Sequence, residues 1–338
     1  MRRAATFSES FRPATAGAGA FRELGLLAFI VILCAIFQLR NHNFLTFSNI
    51  RDLLANTAIL SILSVGMMMV LLTAGIDLSI GATVALSGMV SALTVFAHPS
   101  ISPLLSLLEG MAVGAVCGAL IGVLIARFNV LPIIATLGFM NIIRGVTYLV
   151  SKGAWVSSYQ MSDGFKKLAT GTILGVSNLI VIAVVIYLAF FYFINHMKTG
   201  RQIYAVGSNP AAADISGIPR RRIIFLVYVI MGVLAGLGGV LWVAKFASAQ
   251  GDTAVGYELS VIAAVVLGGV SISGGSGKVS GLILGTILLG ILNNALPLIN
   301  VSPFWQQAIQ GVVILAAVLT NVLVKRNNQR FALRKRAI

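Results

Sequence analysis

The sequence predicts an all-α protein threaded many times through a membrane, and three observations carry that prediction. Of 338 residues, 58% are apolar and only 10% charged, where an ordinary soluble domain carries about 25% charged residues. The mean hydropathy is +0.98. The apolar residues are gathered into ten runs separated by short polar breaks. A chain so poor in charge cannot cover a globule with polar surface. That excludes a soluble enzyme, a disordered chain and a disulfide scaffold.

A helix crossing the hydrocarbon core needs roughly 20 apolar residues. Ten of them take roughly 200 residues and leave about 140 for tails and loops, so no large soluble domain fits. The runs lie at 24–39, 53–73, 80–97, 104–126, 130–150, 173–194, 223–247, 259–272, 279–296 and 303–324. The eighth is short and Gly-rich, as suits a span that is tilted, broken or buried within the bundle. The organisation expected is a basic tail over 1–23, a membrane domain over 24–324 and a second basic tail over 325–338. Arg2, Arg3, Arg12 and Arg22 precede the first run as they would in a signal peptide. No small-residue cleavage site follows, however, and Leu33 before Cys34 is too large for a lipobox, so the run is assigned as a first span. Cys34 and Cys117 both lie in apolar runs, where a buried thiol is the ordinary outcome.

The formal charge is +15. In a membrane protein this reflects retention of Lys and Arg on the cytoplasmic side rather than affinity for nucleic acid, and aromatic stacking platforms are missing among the basic clusters. With the N-terminus inside, the cytoplasmic segments hold the four N-terminal arginines, Arg127, Lys198, Arg201, Arg220, Arg221, Arg222, Lys278 and the whole basic C-terminal tail. The outer loops hold only Arg40, Arg51, Lys152, Lys166, Lys167 and Lys245. Both termini are therefore expected in the cytoplasm. A faint internal echo relates Gly75–Gly81 to Gly269–Gly275, of the kind duplicated transporter halves leave.

The largest cytoplasmic insertion, 195–222, joins the sixth and seventh spans. Gly200 suits a helix C-cap after the sixth span. Ser208 or Asn209 suits an N-cap, and Pro210 is shaped for the first helical position. Ala211 to Ile215 continue the helix and Gly217 ends it. A short, rigid, Ala-rich helix between basic flanks could fit a groove in a partner.

This stretch resembles the coupling loop of the permease subunits of bacterial ABC importers for monosaccharides, of the ribose, arabinose and xylose type. Gly200, Arg201, Tyr204, Ala205, Gly207, Asn209, Ala212, Ala213, Ser216, Gly217 and Ile218 fill that family's pattern. Three further stretches match in order: Thr73–Gly81, Ala135–Leu137 with Arg144-Gly145, and Gly256–Leu259 followed by Ile262–Gly269. Pro210 and Asp214 stand where the family more often carries an acidic and a basic residue. The resemblance implies an ABC-importer permease fold in the bacterial cytoplasmic (inner) membrane. Two permease chains, identical or paralogous, would form the path for a monosaccharide. A separate ABC ATPase would dock on the coupling helix, and an extracytoplasmic sugar-binding protein would deliver the solute. The same resemblance makes Gly200, Arg201, Tyr204, Gly207, Asn209, Ala212, Ala213, Asp214, Ser216 and Gly217 the expected ATPase-coupling residues.

The residues agree with that division of labour. Around Gly277-Lys278 a phosphate-binding loop fails, because Ile272 stands where its first Gly belongs and Val279 follows the Lys. ATP and Mg are thus expected on the partner ATPase, with no cofactor, metal or catalytic residue on this chain. Within the membrane region, Asp77 is either a gate or coupling contact or an N-cap of the third span, with Ser79 the second cap candidate. Glu109 is expected to reach the outer interface. Arg144 either snorkels outward or forms a polar stripe with Asn141 and Tyr148. Thr136 lies in the third matching stretch. Asn293, Asn294, Gln306, Gln307 and Gln310 suit a hydroxyl-rich solute, or hydrogen bonds between helices. The candidate path or gate residues are thus Asp77, Ser79, Thr136, Asn141, Arg144, Asn293 and Asn294. An ion-driven carrier is the alternative, but all three histidines lie at span ends or in loops and no deep carboxylate is evident apart from Asp77. An intramembrane hydrolase would need a central His, and no span has one.

Overall fold

The computed structural model describes residues 16–302 and isolated positions beyond, up to 315. It is built almost entirely of helices: α1 Ala16–Arg40, α2 Phe47–Leu72, α3 Ile80–Ala97, α4 Pro103–Phe128, α5 Pro132–Ser151, α6 Asp163–Thr170, α7 Asn178–His196, α8 Lys198–Ser208, α9 Pro210–Ile215, α10 Arg220–Phe246, α11 Tyr257–Leu267 and α12 Val279–Leu298. The one sheet among the described residues is a two-stranded hairpin, β1 Thr172–Ile173 with β2 Val176–Ser177. Eight of the described helices are long and apolar enough to cross a membrane.

Nine of the ten expected spans are helices, and their ends shift by a few residues. The expected sixth span opens with the hairpin, so α7 starts at Asn178. The eighth is only 11 residues long, or about 16 Å at helical rise, too short to cross. It ends at Gly268, and Gly269 follows with a φ of 85° that halts a helix. The tenth run, with Gln306, Gln307 and Gln310, falls mostly outside the described residues.

The core is α2, α3, α4 and α10, with α10 in contact with each of the other three. Glycines on facing ridges set the closest approach. A Cβ on Gly110, Gly114 or Gly118 would collide with Val240, Gly232 or Tyr228 of α10 in turn. The sequence order reverses between the two helices, so α4 and α10 run antiparallel. Without a hydrophobic driving force in lipid, helices associate through this kind of backbone approach and the dispersion it permits. By contrast α1 packs mainly on α12 and presents most of its apolar surface outward.

The two ends of the bundle are held by different groups. At one end Arg22 donates to the Gly269 carbonyl at 2.6 Å, and Lys278 pairs with Glu23 at 3.2 Å. Helices α8 and α9 lie at this end. At the other, α6, the hairpin, Arg51 and Lys245 surround one cavity of about 310 Å³. Glu109 turns inward and does not reach for the interface. Its Oε1 accepts from the Thr94 hydroxyl at 2.7 Å.

Candidate functional site

The α8–α9 elbow is built from its sequence in an order that can be followed. Met197 adopts extended backbone (φ −86°, ψ 150°) and separates α7 from α8. Gly200 therefore does not cap the sixth span. It lies inside the first turn of α8, where a Cβ would strike the Phe193 and Ile194 carbonyls. Arg201 is exposed and its Nη1 donates to the His196 carbonyl at 3.3 Å, a cation at the end of α7. Helix α8 is amphipathic: Gly200, Ile203, Val206 and Gly207 are buried, while Arg201 and Ser208 are exposed.

The buried face of α8 sits on the end of α2. The Gly207 Cα rests against the Leu72 carbonyl, so closely that no side chain fits there. Gly275 donates its N–H to that same carbonyl at 2.9 Å. Tyr204 donates its hydroxyl to the Gly277 carbonyl at 2.9 Å, and burial pushes its phenol pKa up, which keeps it a donor. Three segments thus meet at one point: the end of α2, the end of α8 and the turn before α12.

Asn209 caps α9, its Oδ1 accepting from Ala212 N–H at 3.0 Å, with Pro210 in the first helical position. Such a cap contributes about 1 kcal/mol. The helix closes with Ile218 N–H donating to the Ala213 carbonyl and with Gly217 at φ 72°, a conformation that favours glycine. Ala213 is buried, whereas Ala212, Asp214, Ser216 and Gly217 are exposed. Ile215 is 89% exposed at the tip. Asp214 pairs with Arg220 at 3.6 Å.

Directly beyond the α2 end, the chain runs without helix to Ser79. Asp77 is buried there, and its Oδ1 accepts from Ser79 N–H at 2.9 Å and from the Ser79 hydroxyl at 2.6 Å. Ser79 occupies the N-cap position of α3, yet its side chain caps nothing; it is spent on Asp77. The turn is held from both sides. Tyr228 of α10 donates its hydroxyl to the Ile76 carbonyl at 3.3 Å, and the Thr136 hydroxyl of α5 lies 3.5 Å from that carbonyl while donating to Pro132 O at 2.9 Å.

Arg144 is committed to backbone carbonyls rather than snorkelling outward, with Tyr148 close beside it. Its Nη1 donates to the Gly251 and Thr253 carbonyls, both at 2.8 Å. These belong to the 247–256 segment between α10 and α11, which folds back toward the start of α3. A Cβ on Gly81 would lie 2.6 Å from Glu258 Oε2 and against the Ala254 carbonyl. Gly75-Ile76-Asp77-Leu78-Ser79 and Gly256-Tyr257-Glu258-Leu259-Ser260 form a closer internal echo than the one with 269–275, and the structure brings the two regions together.

The remaining candidates separate. Asn141 is exposed on α5 between Gly138 and Gly145, and its amide donates to Leu137 O of its own helix at 3.0 Å. Asn294 is occupied in a reciprocal amide pair with Asn49, at 3.0 and 3.1 Å, which ties α12 to α2. Asn293 is exposed nearby. Sequence reasoning missed α8 as a helix, the fold-back of 247–256, and the roles of Tyr228 and Gly251. The arrangement offers a rigid exposed knob joined through α8 to a broken, hydrogen-bonded turn inside the bundle, which suits transmission of movement.

These features define a multi-pass transport subunit. Residues 49–318 match the family model described as the branched-chain amino acid transport system / permease component, and the chain belongs to that family. It is 41% identical over 294 residues to the ribose import permease protein RbsC of Escherichia coli (strain K12), covering 86% of this chain and 91% of the relative. Against the ribose import permease protein RbsC of Bacillus subtilis (strain 168) it is 38% identical over 301 residues, 89% and 93% of the two chains. Against the L-arabinose ABC transporter permease protein AraH of Azospirillum brasilense it is 34% identical over 325 residues, 95% and 94%. No solved structure matches the chain. The protein is the permease component of an ABC importer, a transport subunit of the bacterial inner membrane.

Proposed function

We propose that this permease carries a monosaccharide of ribose type, delivered by an extracytoplasmic binding protein and driven by a separate ABC ATPase. The names of its relatives, which import ribose or L-arabinose, support the sugar class. The observation that carries the mechanism is the seat of Gly207 and Tyr204 on the end of α2 and the 271–278 turn. A thrust on the exposed tip of α9 passes through α8 to the Leu72 carbonyl. From there it reaches the Asp77–Ser79 turn that opens α3.

ATP and Mg belong to the ATPase in this reading, and this chain supplies the lever. A second permease chain packs on the uncovered face of α5, where Gly138 and Gly145 have open space beside them. Asn141 then faces the path between the two chains, and a neutral amide suits hydroxyls without holding them as a charge would. The test is purification of the tagged chain in mild detergent, identification of its partners by mass, and reconstitution of the recovered complex. The expected result is a stoichiometric P-loop ATPase and ATP-dependent uptake of ribose or arabinose into vesicles. A chain that purifies alone and moves solute without ATP would contradict the proposal.

A further inference from the structure

The foot of α10 carries three consecutive cations, Arg220, Arg221 and Arg222, directly before the apolar span opens at Ile223. A helix N-terminus bears partial positive charge, so cations in the first turn are unfavourable there, and the first turn of α10 has no acidic residue. Asp214 offsets Arg220 alone. Arg221 and Arg222 are exposed, and among the described residues neither has an ion-pair partner. All three arginines line one cavity of about 460 Å³. Its remaining wall is Ala126 and Asn129 from the end of α4, the Asp214 carboxylate that pairs with Arg220, and Ile218, Pro219 and Ile224 beside the arginines.

A charged rim thus joins an aliphatic wall at the level where a span meets water. We propose that this cavity binds the phosphate-bearing headgroup of an anionic phospholipid in the cytoplasmic leaflet. Guanidinium groups match a phosphate diester in geometry and charge, and basic pockets between spans on this side of a membrane suit such headgroups. The aliphatic wall has no use for a free phosphate ion but fits the glycerol and upper acyl carbons of a lipid. The site relieves the repulsion between Arg221, Arg222 and the helix terminus, which nothing within the described residues does.

The test uses the full-length chain purified in detergent and exposed to equal amounts of phosphatidylglycerol and phosphatidylcholine, with retained lipid read by native mass spectrometry. Wild type should favour phosphatidylglycerol by about tenfold or more, as two arginines at a membrane surface permit. Arg221→Gln with Arg222→Gln should lose that preference, and Arg221→Lys with Arg222→Lys should keep most of it. The charge-matched control Lys198→Gln with Lys278→Gln should leave it unchanged. If the double Gln variant does not fold, the single Gln variants decide the matter, each expected to lose about threefold. Equal retention of both lipids by wild type would overturn the proposal, as would an unchanged preference in the Gln variants. An equal loss in the control would reduce the effect to diffuse charge. Displacement of the lipid by millimolar inorganic phosphate would mark a site for soluble anions instead. Gln variants that keep the lipid but lose a co-purifying ATPase would assign the arginines to a protein partner.

Discussion

Helices α4 and α5 are consecutive and similarly apolar, yet they are held in opposite ways. Helix α4 is clasped to α10 along a row of glycines whose missing side chains are replaced by facing backbone. Helix α5 presents Ile133, Ile134, Ile142 and Leu149 outward, and buries chiefly Ala135, Thr136, Ile143, Thr147 and Ser151. Its polar grip on the rest of the molecule consists of the Thr136 hydroxyl near Ile76 and the two bonds from Arg144 to the 247–256 segment. A close-packed seam has one arrangement because any slip creates a clash. Helix α5 packs on α3 without such a seam and is otherwise tied by a few directed hydrogen bonds that it can exchange, so the seam is expected to stay fixed while α5 shifts.

The largest effect should come from filling the seam. Gly114→Leu or Gly232→Leu forces α4 and α10 apart, and the amount of folded protein recovered in detergent, judged by size-exclusion profile, should collapse. The matching change on α5, Gly145→Leu, meets no described atom of its own chain and should leave the chain folded, its cost falling on the packing of a second permease chain against α5. Equal yields for the two would dissolve the contrast.

Next in its effect on uptake is Gly217→Val. A β-branched residue in the left-handed region costs about 1–2 kcal/mol or more, so the close of α9 should deform. ATP-driven uptake should fall to about a tenth or less, while the chain stays in the membrane. Uptake at wild-type rate would remove α9 from the coupling path. Arg144→Gln should follow, since it gives up two charge-assisted bonds to Gly251 and Thr253, each worth about 1.5–3 kcal/mol. Hydrogen exchange in 247–256 should rise and uptake should fall, with α4 and α10 unaffected. Arg144→Lys should restore part of both. The smallest change in stability is expected from Tyr204→Phe, which removes one bond to the Gly277 carbonyl, about 1 kcal/mol. Its mark should be a weaker link between ATP hydrolysis and uptake, measured as the ratio of the two rates.

Much of this architecture is legible in the sequence. Spans announce themselves because lipid demands long apolar runs, and α9 announced itself through Asn209, Pro210 and Gly217, each with a local stereochemical reason to be there. Helix α8 was hidden because Gly200 reads as a stop. Only the close approach of the Phe193 and Ile194 carbonyls explains a glycine inside that helix. Arg144 was ambiguous because its partners are backbone carbonyls more than 100 residues away, and a carbonyl leaves no trace in sequence. Asp77 is not the N-cap of α3, one of the two roles its sequence position suggested: Ser79 holds the cap position, and Asp77 accepts from the Ser79 N–H and hydroxyl.

The account turns on a fixed α4–α10 seam and a movable α5. The most direct measurement is a pair of spin-label distances in the complex with its ATPase, taken with and without ATP. One pair joins Val116 on α4 to Phe246 on α10, and the other joins Val116 to Leu149 on α5, all exposed positions. The account predicts that nucleotide leaves the first distance unchanged and shifts the second. A shift in the first, or none in the second, would contradict it.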